Sequence, residues 1–241
     1  MGEIYNQVLF LPIFNLLVFV YNAVPGGDFG LAVIVLTIII RFVFAPLSIK
    51  ALISQKELNK LQPKIKELQE KYKNDKQALG QATMALYKEH KINPFSGCLP
   101  LLIQLPVLLA LYKALSVGFK PESLNALYPF IHNPGSIKEI SFGLINIAKS
   151  APLLAITACL LQWVQSKQAM SFQAPASKNE PESTAFKMSR QMLYFFPIMV
   201  IIIAWNLPAG LVIYWVVATI FSIFEQLYIS RKYKTSAGPQ I

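Results

Sequence analysis

Five stretches of the chain are apolar over close to the length of a membrane-crossing helix: 29–49, 97–118, 150–168, 191–207 and 209–229. About 20 apolar residues, rising 1.5 Å each, are needed to cross roughly 30 Å of hydrocarbon. Each run therefore predicts a spanning helix. A sixth stretch, 4–24, is interrupted by Pro12, Asn15 and Asn22. It carries Glu3 where a secretory signal carries basic residues, and no small-residue cleavage site follows it. Within an external segment 1–28, it is expected to lie on the membrane as an amphipathic, interfacial helix. The pattern predicts an all-α integral membrane protein with five transmembrane helices and an N-terminal interfacial helix.

The polar stretches between the runs differ in kind. In 50–94, Leu58, Leu61, Ile65, Leu68 and Tyr72 recur at helical spacing, with Lys and Glu on the other faces. Asn74-Asp75 breaks the pattern, and Asp75 can cap a second helix running through Leu79, Leu86 and Tyr87 to Asn93-Pro94. This unit reads as a basic two-helix hairpin. Loop 119–149 holds Pro121, Pro129, Pro134 and Gly135, which predicts short helical pieces. Within 169–190, residues 171–185 are rich in Ser, Pro, Ala and Glu and read as flexible. The link Asn206-Leu207-Pro208-Ala209-Gly210 is short, so the last two helices are expected to pair as an antiparallel hairpin. Residues 230–241 form the tail.

Composition changes the picture in one respect. Of 241 residues, 54% are hydrophobic and 14% charged, with mean hydropathy +0.46, too little polar surface for a soluble domain of this length. The net charge of +10 does not point to nucleic acid, because the basic residues gather between the apolar runs. With residues 1–28 outside, 17 Lys and Arg fall in 50–94, 167–190 and the tail, against Lys120, Lys138 and Lys149 on the other side. That asymmetry places the N-terminus outside and the C-terminus in the cytoplasm. If 4–24 spanned, the N-terminus would move inside and every later loop would keep its side. Cys98 and Cys159 both lie in apolar runs and read as buried thiols.

The spans carry polar residues that hydrocarbon does not favour. Arg41 lies between Ile40 and Phe42, nine residues before Lys50, which puts it roughly 13 Å from the hairpin end. An arginine at mid-helix costs about 2.5–3.5 kcal/mol on insertion scales. Snorkelling would recover part of this, but Arg41 has company. Thr37, Arg41 and Ser48 share a face within about 40°. Trp215, Thr219, Ser222 and Gln226 share a face of the last helix. Gln104 reaches a similar depth in the second span, and Gln162 and Gln165 lie near the inner end of the third. Interhelical hydrogen bonding accounts for each Gln, Ser or Thr singly. For Arg41 no acidic residue lies at its depth, since Glu225 falls nearer the surface, so it is expected to lack a partner within the chain. An arginine without a counter-charge, among polar neighbours in the inner halves of four helices, predicts a hydrophilic groove open to the cytoplasm. The outer halves are almost wholly apolar, so the groove should stop part-way.

Several motifs now stand together: Gly30-Leu31-Ala32-Val33-Ile34-Val35-Leu36-Thr37-Ile38-Ile39-Ile40-Arg41 with Pro46-Leu47; Leu61-Gln62-Pro63-Lys64-Ile65; Leu86-Tyr87-Lys88; Asn93-Pro94; Gly97-Cys98-Leu99-Pro100-Leu101-Leu102-Ile103-Gln104-Leu105-Pro106 with Tyr112; and Leu207-Pro208-Ala209-Gly210-Leu211-Val212-Ile213-Tyr214-Trp215. Over residues 12–230 the chain resembles the YidC-type membrane protein insertases, with their mitochondrial Oxa and chloroplast Albino relatives. It resembles the short bacterial form, without the large periplasmic domain. The resemblance implies a protein of the bacterial cytoplasmic (inner) membrane. It would insert nascent membrane proteins into the lipid bilayer and help them fold, alone or with the Sec translocon. It implies a groove arginine at Arg41 and substrate contacts at Thr37 and Trp215. With Gln104, Gln162, Thr219 and Ser222 these make up the candidate groove. It also implies docking of ribosome, signal-recognition particle receptor or Sec partners on the hairpin, where Lys64, Lys71 and Asp75 are the candidates.

No catalytic group, cofactor, metal site or sequence-specific nucleic-acid surface is expected. His90 and His132 fall on opposite sides of the membrane, and no nucleotide motif appears. A small anion transporter is the rival reading of Arg41, but the chain shows no internal repeat and the polar stripe ends half-way. A structural assembly factor would gain nothing from a buried arginine.

Overall fold

A computed structural model describes residues 2–93, 99–171 and 184–234. The fold is almost entirely helical: α1 (Gly2–Tyr5), α2 (Leu11–Ala23), α3 (Phe29–Lys60), α4 (Gln62–Lys71), α5 (Lys76–Glu89), α6 (Leu99–Gly118), α7 (Pro152–Ser171), α8 (Thr184–Ala204) and α9 (Ala209–Lys234). A π-helical turn, Asn6–Phe10, joins α1 to α2. Three helical stretches are long and apolar enough to cross a membrane: Glu3–Ala23, Phe29–Lys60 and Ala209–Lys232. Two further apolar stretches, Gln104–Gly118 and Leu193–Ala204, are shorter.

α3 does not stop at residue 49. Nothing between Ile49 and Lys60 breaks a helix, so it continues into the hairpin region. It ends at Leu61, two residues before Pro63, which sits in the first turn of α4, where its missing N–H is harmless. The expected seam from Leu58 to Tyr72 is thus divided between two helices; Leu61 and Ile65 are its buried members. Asp75 caps α5 as expected, accepting from the N–H groups of Gln77 (3.1 Å) and Ala78 (2.9 Å).

Loop 119–149 departs from the all-helical expectation. It holds one 3₁₀ turn, Pro121–Ala126, but also a two-stranded antiparallel ribbon, β1 (Ile140–Ser141) and β2 (Ile145–Asn146). The chain reverses through Phe142 and Gly143, both at positive φ. The ribbon is fastened to the start of α3. Asp28 accepts from Leu31 N–H at 3.0 Å and Phe142 N–H at 2.6 Å, and Gly30 N–H donates to Ser141 Oγ at 2.7 Å. Only glycine fits at 30, since an added Cβ would stand 2.9 Å from Ser141 Cβ and the Phe142 ring. The start of α9 is held likewise, Ala209 and Gly210 donating to the carbonyls of Lys149 and Ile147.

α7 packs against both α8 and α9, while α8 and α9 make few contacts with each other. The short link between them therefore does not produce the expected helix pair. α7 supplies Ala155 and Ala158, small enough to let Val200, Ala204 and Val212 close in. The main core gathers α2, α3, α6 and α9 around Phe14, Leu17, Phe29, Val33, Leu36, Leu111, Ala114 and Tyr214. It occupies the end of the bundle that bears loop 119–149. On α3 the buried residues run from Phe29 to Thr37 and then stop until Ala51. Cys159 is half-buried and free, less enclosed than expected. Cys98, Pro94, residues 172–183 of the flexible stretch and the tail beyond Lys234 lie outside the described residues.

Candidate functional site around Arg41

Arg41 sits one helical turn past Thr37, where the packing of α3 ends. It has partners within the chain, contrary to the expectation from depth alone. Its Nη1 donates to Ser222 Oγ of α9 at 3.1 Å and its Nη2 to Gln104 Oε1 of α6 at 3.1 Å. Gln104 Nε2 in turn donates to Tyr214 Oη of α9 at 2.7 Å. Three hydrogen bonds among four side chains thus join α3, α6 and α9 pairwise, a triangle of helices. The sequence pattern counted acidic residues and overlooked how far a guanidinium and a glutamine reach across a helix interface.

The partners are neutral. No carboxylate lies within 4 Å of Arg41 among the described residues. Glu225 stands one turn beyond Ser222 on α9. It is buried and accepts from Ser48 Oγ at 2.9 Å through Oε2, while its Oε1 has no hydrogen-bond partner. Gln226 Oε1 is also buried without one. An arginine has five N–H donors, and side chains here engage two nitrogens. The site therefore retains both donor and acceptor capacity.

The other candidates stand around this triangle without joining it. Thr37 is fully buried and donates to Val33 carbonyl at 2.6 Å on its own helix. Thr219 does the same with Trp215 carbonyl at 2.8 Å. Trp215 is half-buried, packed against the cluster of Ala155, Ala158, Val200, Ala204 and Val212. Gln162 donates to Gln165 Oε1 at 2.8 Å, a pairing within α7 apart from Arg41. Beyond the triangle α3 and α9 expose apolar side chains: Ile38, Phe42, Val43 and Leu47 on one, Ile220, Phe224 and Tyr228 on the other. Phe42 and Phe221 meet edge to face across the seam.

On the hairpin, Lys64 Nζ lies 3.2 Å from His90 Nε2, joining α4 to the end of α5. Lys71 Nζ stands 5.5 Å from the centre of the Tyr72 ring. Asp75 is occupied as the cap of α5. Tyr214 and Glu225 are the two members of the site that sequence reasoning did not place there. Glu225 stands one turn past Ser222, within reach of a helical-face count, whereas Tyr214, immediately before Trp215, lies about 100° round the helix from that residue and off the polar face. No cluster of metal-ligating residues occurs among the described residues.

Comparison with known proteins gives the family. The family model described as "60Kd inner membrane protein" matches residues 19–236. The chain is 34% identical over 206 residues to a membrane protein insertase YidC of Fusobacterium nucleatum, covering 86% of this chain and 88% of that one. It is 37% identical over 215 residues to YidC 1 of Listeria monocytogenes, covering 87% of this chain and 66% of the relative. Against YidC of Geobacter sulfurreducens it is 35% identical over 225 residues, 93% of this chain but 38% of the relative. The shared region thus contains every helix that builds the Arg41 triangle, and the chain belongs to the YidC-type membrane protein insertase family.

Proposed function

We propose that this protein inserts nascent membrane proteins into the bilayer through a hydrated groove between α3, α6 and α9, with Arg41 at its inner limit. One observation carries the reading. Arg41 sits where the buried core stops, tied to neutral partners, with no carboxylate in contact among the described residues. A polar substrate segment cannot cross bare hydrocarbon cheaply. A groove reaching part-way shortens that path, and the free donors of Arg41 attract an acidic segment. The apolar substrate helix meanwhile leaves along the exposed seam of α3 and α9. Residues 29–37 of α3, with α2, α6 and the start of α9, close the far half.

In this reading α3, α6, α7, α8 and α9 are the five spans, with the N-terminus outside and the hairpin in the cytoplasm. The N-terminal helical segment lies along the outer face. Its contacts support this: Asn15 pairs with Ala126 carbonyl and Tyr128 N–H, and Asn22 with His132 carbonyl, all in loop 119–149. Near its other end Asn6 meets Lys113, only five residues before α6 ends. Twenty-odd residues of helix would cover about 30 Å if upright, yet the partners occupy one end of the bundle. The basic hairpin is the docking arm for ribosome, signal-recognition particle receptor or Sec partners.

A photo-crosslinker at position 215, with Arg41 intact, tests the path. A stalled nascent chain is expected to crosslink there far more strongly than to the same probe at Ile198, an exposed apolar position on α8. Equal yields at both positions would remove the groove.

A further inference from the structure

Away from Arg41, a second cation lies in an apolar helix. Lys113 is the one charged residue of α6. Its Nζ donates to Asn6 Oδ1 and stands 4.4 Å from the centre of the Phe10 ring and 6.0 Å from that of Tyr5. These contacts hold an ammonium without neutralising it. Lys113, Phe10, Val117, Lys120, Glu122 and Ser123 line an open cleft of about 320 Å³ between the N-terminal helical segment and the end of α6. Among the described residues none of Lys113, Lys120 and Glu122 forms an ion pair. Two ammonium groups and one carboxylate thus face one small space without forming an ion pair, leaving it net positive.

The position narrows the ligand. Lys113 lies five residues from the end of α6 and Lys120 two residues past it, at the depth where an apolar helix meets the headgroup layer. Next to Lys113, the exposed side chains of Leu105, Leu109 and Tyr112 form a stripe leading away from the cleft along α6. That stripe suits an acyl chain. A phosphate would engage Lys113 and Lys120. Glu122 would repel a headgroup carrying negative charge alone, and choline has no N–H to offer it. An ethanolamine ammonium satisfies it.

We propose that this cleft binds the headgroup of one phosphatidylethanolamine molecule, its phosphate on Lys113 and Lys120 and its ammonium on Glu122. The bound lipid fastens the N-terminal helical segment to α6. Native mass spectrometry of the full chain, titrated in detergent with phosphatidylethanolamine, phosphatidylglycerol, phosphatidylcholine or inorganic phosphate, tests this. One phosphatidylethanolamine is expected to be retained about tenfold more tightly than the other two lipids, the loss of one charged contact being on that order. Lys113→Gln and Lys120→Gln should each reduce retention of all phospholipids. Glu122→Gln should reduce the ethanolamine preference alone. Lys120 and Glu122 are exposed, so their variants remain informative if Lys113→Gln does not fold. Equal retention of the three lipids, or retention indifferent to Lys120→Gln and Glu122→Gln, would overturn the proposal. So would displacement of the lipid by inorganic phosphate, which would mark a site for the free ion.

Discussion

At the scale of single residues, the site depends on hydroxyl and amide groups as much as on its charge. Tyr214 is almost fully buried and its Oη takes the Gln104 amide. Tyr214→Phe keeps the ring and removes the acceptor, leaving the half-buried Gln104 amide donor unpaired, which costs on the order of 1 kcal/mol. A lower midpoint of thermal unfolding in detergent should report it. The loss should be smaller in a Gln104→Leu background, where the donor is gone too. Arg41, Gln104 and Ser222 were legible in the sequence, because polar side chains in apolar runs are conspicuous. Tyr214 was not, since a tyrosine in an apolar run reads as packing until its hydroxyl has a partner. The expected isolation of Arg41 failed for a related reason. Depth along one helix says nothing about which neutral groups face it from the next.

At the scale of elements, caps and tethers decide how the helices begin. Asp28 starts α3 and holds the β1–β2 ribbon. Burial pushes its carboxyl up, but hydrogen bonds from Phe142, Leu31, Ser141 and Gly30 outweigh this and hold it below the usual carboxylate range. A carboxyl with a depressed folded-state pKa stabilises the fold above its ordinary value near 3.8. That contribution fades as pH falls from there through the folded-state value. Wild type should therefore lose stability below about pH 4, and Asp28→Asn, which keeps an acceptor but no charge, should lose less over that window in acid titrations followed by circular dichroism. On the hairpin, Asp75→Ala removes the cap of α5 and should cost about 1 kcal/mol of local stability, seen as faster amide exchange at Gln77 and Ala78. Both caps are plain in the sequence, as acidic residues ahead of helical runs. The seam from Leu58 to Tyr72 read as one helix, whereas Ala, Leu, Lys and Glu continue α3 to Lys60 and the break falls at Leu61, ahead of Pro63. The β1–β2 ribbon was missed because two-residue strands leave no alternation to read.

At the scale of the whole molecule, the main core lies at the end of the bundle that bears loop 119–149, and past Thr37 α3 exposes apolar side chains. Hydropathy located the apolar runs, and three helical stretches meet the length and composition of a span, the N-terminal one among them. It did not reveal that α7 stands between α8 and α9, because a short link constrains two helix ends and not which faces meet. Burial on α3 ceases within its polar stripe: Thr37 is enclosed and Arg41, one turn on, is half-buried. On the reading proposed here, Arg41 acts on the substrate's polar segment and the exposed apolar side chains of α3 and α9 act on its apolar one. The direct test is insertion into proteoliposomes of a substrate with an acidic translocated tail, beside the same substrate with a neutral tail. Arg41→Ala is expected to lower insertion of the acidic-tailed substrate about tenfold, the worth of one charged contact, and to spare the neutral one, with Arg41→Lys falling between. Insertion of the acidic-tailed substrate by Arg41→Ala at the wild-type level would contradict the account.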